Sequence, residues 1–412
     1  MSLAAYTEGF EQFAAGLPAG QRAARREQYE RFLKAGFPTP RIEEWHYTDL
    51  APLSERRFSP AAEGGVVPTA ELLADADHLV YVNGRLDPTH STTAVRHGEN
   101  PAAADGDSVT SLNAAFATGG LFLRLARNER LPRPLQVLAV GIAGSAPAMV
   151  HQRHRIELGE NAEATVLFQL LGQGAERLTT HVIEVDLAPG ARLTLYRIQD
   201  EHAEATLLTR IDANLHRDSR LEAVVVDCGT GLVRHDFNVV LAEPGAEVAL
   251  AGLYQPAPGG HVDNQTRIVH AAPHCRSREQ FKGIIDAKAK AIFVGKVIVQ
   301  PGAQKTDSEQ RVANLLLSRK AEVNAKPELE IYADDVKCAH GATVGQLDDK
   351  ALEYMRSRGI AADVARALLL RAFGSEVLEK IAIPALRQSL AARMGLAGEE
   401  SFEEIAVEEI GE

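Results

Sequence analysis

A recurring turn is the feature of this 412-residue sequence that most constrains its fold. Between residues 120 and 345, runs of Val, Leu, Ile and Thr alternate with polar residues over strand lengths, without helical periodicity. A fixed period of 26 to 29 residues indicates stacked coils, none of which can bury its apolar face alone. The pattern predicts a parallel β-helix, with a β-sandwich as the alternative. The turns begin every 26 to 29 residues, at Glu160, Pro189, Asp218, Pro244, Pro273, Pro301 and Pro327.

Two short helices are predicted before the repeat. Apolar residues recur at helical spacing across residues 8–33, and Pro18 separates the two halves of this segment. Residues 60–110 are rich in Ala, Gly, Asp and Pro and have no clear period, so they carry no secondary-structure prediction.

Three helices are predicted after the repeat. Asp348 is a favourable N-cap for the first, the second begins at Asp363 and ends before Gly374, and Pro384 is a favoured first-turn residue for the third. Seven glutamates follow Gly395, and their mutual repulsion predicts a mobile acidic tail.

The predicted chain therefore has four parts and is mainly β. Residues 1–118 form an N-terminal helical and mixed region, and residues 119–347 form the β-helix core. Residues 348–396 form a C-terminal helical region, and residues 397–412 form the acidic tail.

Composition and charge exclude several classes of protein. The formal net charge of −12 argues against a nucleic-acid partner, which would need a basic surface. The most apolar stretch, residues 135–150, is too short for a membrane span, and residues 1–20 lack the pattern of a secretory signal. Three scattered cysteines do not make a disulfide framework. We therefore expect a cytoplasmic protein that does not associate with a membrane.

Cys338 and His340 are the strongest candidates for chemistry. Residues two apart in a strand point to the same side, so a thiolate and an imidazole would be presented together. Both are ligands for iron or zinc, but a closed metal centre or cluster needs about four ligands. Any site here would need further ligands from elsewhere, such as another chain. The alternative is a buried cysteine beside a hydrogen-bonded histidine.

Two other polar groups are weaker candidates. His261, Asp263 and Gln265 share one strand face, which we expect to be solvated or to lie between subunits. A polysaccharide-cleaving groove would need charged residues to converge, and those available are spread over the repeat: Lys282, Asp286, Lys296, Lys305 and Asp307.

The sequence has no phosphate-binding loop of the Gly-x-x-x-x-Gly-Lys-Ser/Thr type, since Gly295-Lys296 is followed by Val297. If the process needs ATP hydrolysis, a partner has to supply it.

Several long motifs, in order along the chain, resemble the SufD family of the SufB/SufD superfamily. The longest is Lys326-Pro-Glu-Leu-Glu-Ile-Tyr-Ala-Asp-Asp-Val-Lys-Cys-Ala-His-Gly-Ala-Thr-Val-Gly-Gln-Leu347, and Tyr354-Met-Arg-Ser-Arg-Gly-Ile360 follows it. The likeness includes shorter motifs at residues 41–48, 261–263, 280–284, 293–296 and 303–307. A SufB chain would instead carry clustered N-terminal cysteines, which this chain lacks.

The resemblance implies a right-handed parallel β-helix between helical regions, and a scaffold without catalytic residues. It implies pairing with SufB through the β-helix and binding of the ATPase SufC through the C-terminal helices, with Tyr354, Arg356 and Arg358 as candidate contacts. His340, with Cys338 beside it, would face a shared site for iron. No tightly bound cofactor is expected in isolation, only transient iron or an iron–sulfur cluster in the complex. The alternatives are a β-helical polysaccharide enzyme and a homodimeric binding module.

Overall fold

The structure is a mainly β chain with helices at both ends. The computed structural model describes residues 3–92, 106–142, 144, 146–174, 176–201, 204–229 and 231–397, with Ala4 and Ala5 as backbone only. About 43% of the described residues are in strands and 22% are in helices. The helices are α1 Ala4–Ala15, α2 Ala19–Ala35, α3 Ser108–Phe116, α4 Asp349–Ser357, α5 Ala362–Leu378 and α6 Pro384–Arg393.

The strands follow one another in short succession between α3 and α4, with three more before α3. They are β1 Ser59–Pro60, β2 Asp77–Val82, β3 Arg85–Leu86, β4 Phe122–Leu125, β5 Leu135–Ile142, β6 Ala148–Leu158, β7 Glu163–Gln173, β8 Arg177–Leu187, β9 Arg192–Asp200, β10 Ala205–Leu215, β11 Arg220–Asp227, β12 Leu232–Leu241, β13 Glu247–Tyr254, β14 His261–His270, β15 Arg276–Ile285, β16 Lys290–Val299, β17 Asp307–Leu316, β18 Glu322–Ile331 and β19 Lys337–Gly345.

From β5 onward, successive strands alternate between two parallel sheets. In sheet A the even-numbered strands pair in the order β6 to β18, and in sheet B the odd-numbered strands pair in the order β5 to β19. Each coil thus places one strand in each sheet, and the described chain makes a solenoid of about eight turns. This topology confirms the predicted parallel β-helix and excludes the β-sandwich.

Six of the seven predicted turns lie between strands. Their tight geometry explains their residues, because the left-handed backbone conformation is easiest for Gly, Asn and Asp. Positive φ angles occur at five of these turns, at Asn161, Gly190, Asp218, Gly245 and His274.

The seventh predicted turn, at Pro327, is wrong. Pro327 lies inside β18, in register with Gly295 of β16, and the turn of this coil comes after Ile331. Because β18 is the outermost strand of sheet A, a residue without an N–H is tolerated there. The proline at position 327 therefore indicates an edge strand and not a turn.

The interior between the two sheets is packed by in-register aliphatic columns. Leu158, Leu187, Leu215 and Leu241 follow one another across sheet A, and each is at most 2% exposed. Burying each such side chain contributes roughly 1.5–3 kcal/mol, so stacking supplies the burial that a single coil lacks.

The N-terminal region covers part of the outer face of sheet A. The two predicted helices are α1 and α2, which join α3 in an aromatic cluster that includes Phe10 stacked on Tyr29, with ring centroids 4.2 Å apart. Residues 60–110 contribute β2, which pairs with β5 and extends sheet B. Tertiary pairing therefore determines structure where no local pattern was present.

The C-terminal helices begin as predicted. Asp348 caps α4, where its carboxylate accepts a hydrogen bond of 2.9 Å from the backbone N–H of Lys350, and Pro384 opens α6. The predicted end of the second helix before Gly374 is wrong, since α5 continues to Leu378. A Cβ at Gly374 would lie 2.5 Å from Leu396 Cδ1, so this glycine permits close packing and does not end the helix.

Helices α5 and α6 pack on the outer face of sheet B, where Val377, Leu386 and Leu390 join a buried apolar cluster with Val226 and Leu253. The predicted acidic tail lies outside the described residues from residue 398 onward. No helix in the described part of the chain is both long enough and apolar enough to cross a membrane.

Candidate functional site

The solenoid ends in two strands that each have one neighbour. Among the described residues, β18 pairs only with β16 and β19 pairs only with β17, so both sheets stop at the same coil. Unpaired edges offer free backbone N–H and C=O groups to another chain. Large apolar side chains are also exposed at this end, namely Ile331, Tyr332 and Val344. We call β18 and β19 with these three side chains the open end of the solenoid.

Cys338 and His340 both lie on β19, at the open end. They are in register with Ser308 and Gln310 of β17, which are buried inner-face residues, so the two candidates share the inner face as predicted. Cys338 is half-buried and packs against the interior, whereas His340 is exposed. The imidazole is therefore accessible from the open end, and the thiol lies deeper.

The two candidates do not make a metal centre by themselves. Burial raises the pKa of the Cys338 thiol, which disfavours the thiolate needed for metal binding. In the described part of the chain, no group of three or more His, Cys, Asp or Glu residues could hold a metal ion. A metal bound at these two residues would need further ligands from elsewhere.

The three candidate partner contacts lie on or next to α4, only a few residues after β19. Helix α4 buries none of its residues, and Tyr354 is 61% exposed. The Arg358 guanidinium lies 5.3 Å from the centre of the Tyr354 ring, and Arg356 occupies the last turn. Helix α4 contacts α5 but buries none of its residues fully, so most of its amphipathic surface is available to a partner.

Helix α5, by contrast, is anchored to the solenoid by Lys282 of β15. The Lys282 ammonium donates a hydrogen bond of 3.1 Å to the carbonyl of Phe373, lies 2.7 Å from the Glu376 carboxylate and sits over the Phe373 ring. Gln280 on the same face also donates to Glu376. The candidate groove is therefore not formed at Lys282, which is buried under a helix.

Three of the other charged residues of the weak groove candidate have separate partners. Lys296 pairs with Glu330 at 3.1 Å, Lys305 pairs with Asp335, and Asp307 pairs with Arg278. They lie on different strands and turns and do not converge on one site. This agrees with the sequence, in which they are spread over the repeat.

The face that carries His261 and Asp263 is neither fully solvated nor free, contrary to expectation. The Thr48 hydroxyl donates a hydrogen bond of 2.5 Å to Asp263, and His261 Nε2 lies 2.9 Å from the same hydroxyl. Asp263 also accepts from Arg234 at 2.7 Å, and the Arg234 guanidinium lies 3.8 Å from the centre of the Trp45 ring. The motif at residues 41–48 is thus a clamp on sheet A, which sequence alone could not place.

Polar residues inside the solenoid were missed from the sequence. Arg197, Asp227 and His235 form a buried cluster, in which Arg197 donates to Asp227 at 2.9 Å. Burial alone would raise the pKa of Asp227, but Arg197 and His235 outweigh it and lower that pKa to about 2. Nearer the open end, Gln310 donates to Glu279 at 2.6 Å, and burial raises the pKa of Glu279 to about 7. The sequence signal that could have revealed these residues is a polar side chain at a strand position where the alternation predicts an inward-facing apolar one.

Comparison with known proteins gives a consistent result. Residues 141–373 match the family described as "SUF system FeS cluster assembly, SufBD core domain". The iron–sulfur cluster assembly protein SufD of Escherichia coli is 31% identical over 393 residues, covering 91% of this chain and 93% of the relative. An iron–sulfur cluster assembly SufBD family protein of Synechocystis is 31% identical, covering 86% of each chain.

A more distant relative matches over a similar share of both chains. SufD of Bacillus subtilis, also named as an iron–sulfur cluster assembly protein, is 26% identical and covers 90% of this chain and 93% of its own length. The family match spans the solenoid from the end of β5 to the middle of α5, including the open end. The chain therefore belongs to the SufBD family of iron–sulfur cluster assembly proteins, and it is similar to SufD over nearly its whole length.

Proposed function

We propose that this SufD-like chain is a non-catalytic scaffold that pairs through its open end with a SufB-type chain. The observation that carries the proposal is that both sheets stop there with unpaired strands, exposed apolar side chains and the accessible His340 ring. A partner strand at each edge would satisfy the free backbone groups and cover the apolar side chains. The same contact would enclose His340 and Cys338 at the interface.

In this proposal His340 is the main contribution of the chain to cluster assembly, with iron as the cargo. Its neutral imidazole supplies a borderline ligand that suits iron, and the partner supplies thiolates. Cys338 is the secondary candidate, because its half-buried thiol needs a nearby positive charge or a metal before it ionises.

A SufC-type ATPase is the proposed second partner, bound by α4 and the residues that follow. Helix α4 is linked to β19 by only residues 346–348, so a force on α4 acts directly on the strand that carries His340. Helix α5 is fixed on β15 by Lys282 and provides a static base. ATP-driven closure of the partner would thus shift the SufB–SufD pair towards a state that admits iron and sulfur.

Affinity purification at native expression tests both partners. A tagged chain is expected to recover a longer SufB-type paralogue and a P-loop ATPase, each identified by mass. Reversing charge with Arg356→Glu and Arg358→Glu should lower ATPase recovery by about tenfold, because a partner surface that pairs with these arginines is acidic and would repel glutamates. Recovery of the paralogue should stay unchanged.

The matched control reverses two exposed charges on solenoid turns, with Arg217→Glu and Lys288→Glu, and should recover both partners. Recovery of a second copy of the tagged chain alone would contradict the proposal and favour the homodimeric module. Equal loss of ATPase in the control would contradict the role of α4.

A further inference from the structure

A column of three polar residues leads from the interior to His340. Glu279, Gln310 and His340 lie on adjacent strands β15, β17 and β19 and are paired directly in register. Neighbouring strands lie about 4.8 Å apart, so the three side chains follow one another on the inner face. Glu279 is 3% exposed and Gln310 is fully buried, whereas His340 is at the open end.

The amide of Gln310 is held from one side. Gln310 Nε2 donates a hydrogen bond of 2.6 Å to Glu279 Oε2, which turns the carbonyl oxygen of the planar amide away from Glu279. That oxygen, Gln310 Oε1, is buried and has no hydrogen-bond partner among the described residues. An unsatisfied buried acceptor is unfavourable, so a nearby donor would be strongly favoured.

The opposite sheet leaves space for this amide. A Cβ on Gly295 of β16 would lie 2.2 Å from Gln310 Nε2, closer than any such contact allows. The glycine belongs to the motif at residues 293–296, whose role was not evident from sequence. Glycine at this position therefore lets Gln310 extend across the interior towards Glu279.

We propose that Gln310 is a positioning residue for His340. The exposed ring does not bond to Gln310 Oε1 in the structure, and a rotation of the His340 side chain would bring one ring N–H to that oxygen while Glu279 holds the amide in the required orientation. One ring nitrogen of His340 then keeps the proton, and the other presents its lone pair at the open end. Histidines that bind metals commonly donate their second N–H to a carbonyl or carboxylate in this way. The inference deepens the proposed function and rests on it.

The tautomer of His340 is the direct readout, and it can be measured on the free chain. Long-range ¹H–¹⁵N NMR of histidine-labelled protein above pH 8 reports which ring nitrogen carries the proton, and His340→Asn identifies the signals of His340. One tautomer should dominate in the unaltered chain. In Gln310→Met, which keeps the volume and removes the carbonyl, the tautomer ratio should change by about fivefold, the factor that one net hydrogen bond supplies.

Two further variants make the outcome decisive. Gly295→Ala leaves both residues in place but displaces the amide, and it should change the ratio in the same direction as Gln310→Met. Glu309→Gln alters the neighbouring residue on the outer side of the same strand and should leave the ratio unchanged. An unchanged ratio in folded Gln310→Met and Gly295→Ala would overturn the inference.

The two proposals fail separately. If Gln310→Met changes the tautomer ratio but His340→Ala does not lower cluster yield, the positioning role stands and the function proposed for His340 is wrong. If cluster yield depends on His340 but the ratio is insensitive to Gln310, the positioning role is wrong and the proposed function stands.

Discussion

Replacing His340 with alanine is expected to lower cluster yield in the assembled complex by at least about tenfold, while the fold persists. Changes around a metal site that do not touch the metal already cost about 10–100-fold in affinity or activity, and loss of a ligand should cost no less. His340 is exposed, and surface substitutions usually change the free energy of unfolding by less than about 0.5 kcal/mol. The effect is therefore on chemistry and not on stability.

The measurement is cluster absorption after reconstitution of the complex with iron, a sulfur donor and ATP. Lys337→Ala is the matched control, because this exposed residue lies on the same strand but faces outward. The control should retain the full yield. A yield in His340→Ala equal to that of the control would show that the ring takes no part in assembly.

Acidification from pH 7 to pH 4 is expected to unfold the chain cooperatively. Five interior or covered histidines have strongly lowered pKa values: about 3 for His151 and His181, about 4 for His235 and His270, and well below the usual range for His154. Burial is the main cause in each case. At about 1.36 kcal/mol per pH unit, His235 alone contributes roughly 3 kcal/mol that is lost on acidification.

The direction of the change in stability with pH follows from whether the folded or the unfolded chain binds the proton. Between about pH 6.5 and pH 4 the unfolded chain protonates these histidines and the folded chain does not, so stability falls as the pH falls. The raised pKa of Glu279, about 7, acts oppositely and favours the fold at low pH. Asp227, with a pKa of about 2, loses its contribution only below about pH 4. In this pH window the five histidines outweigh Glu279.

Urea unfolding at a series of pH values, followed by the fluorescence of the single tryptophan Trp45, measures the effect. Trp45 is buried beside Arg234 and reports on the clamp over sheet A. His46→Gln removes an exposed histidine and should leave the pH dependence unchanged. A free energy of unfolding that stays constant from pH 7 to pH 4.5 would mean that the buried rings titrate normally.

The coil architecture was predictable because the turns are local. Asn161, Gly190 and Asp218 adopt left-handed backbone conformations that few residues tolerate, so each coil repeats a similar turn signal. Pro327 and Gly374 were misread because the same residue types also serve an edge strand and a close helix contact. Only the position of neighbouring elements distinguishes these uses.

The candidate site was predictable only in its exposed half. Strand alternation places Cys338 and His340 on one face, and the structure shows them on the inner face of β19. Gln310 and Glu279 follow the same alternation, but their meaning depends on register between strands about thirty residues apart, which no local pattern contains. The clamp of Thr48 on Asp263 joins residues still more distant in sequence.

Site-directed photo-crosslinking in cells tests the central claim, that the open end is a partner surface, most directly. A photoreactive phenylalanine analogue replaces Tyr332 or Val344, which are 61% and 50% exposed at the open end, or Val66 as a control, which is 80% exposed elsewhere. Crosslinks to a SufB-type chain are expected from the first two positions and none from Val66. Crosslinks from Tyr332 and Val344 only to a second copy of this chain, or none at all in cells that contain the SufB-type chain, would contradict it.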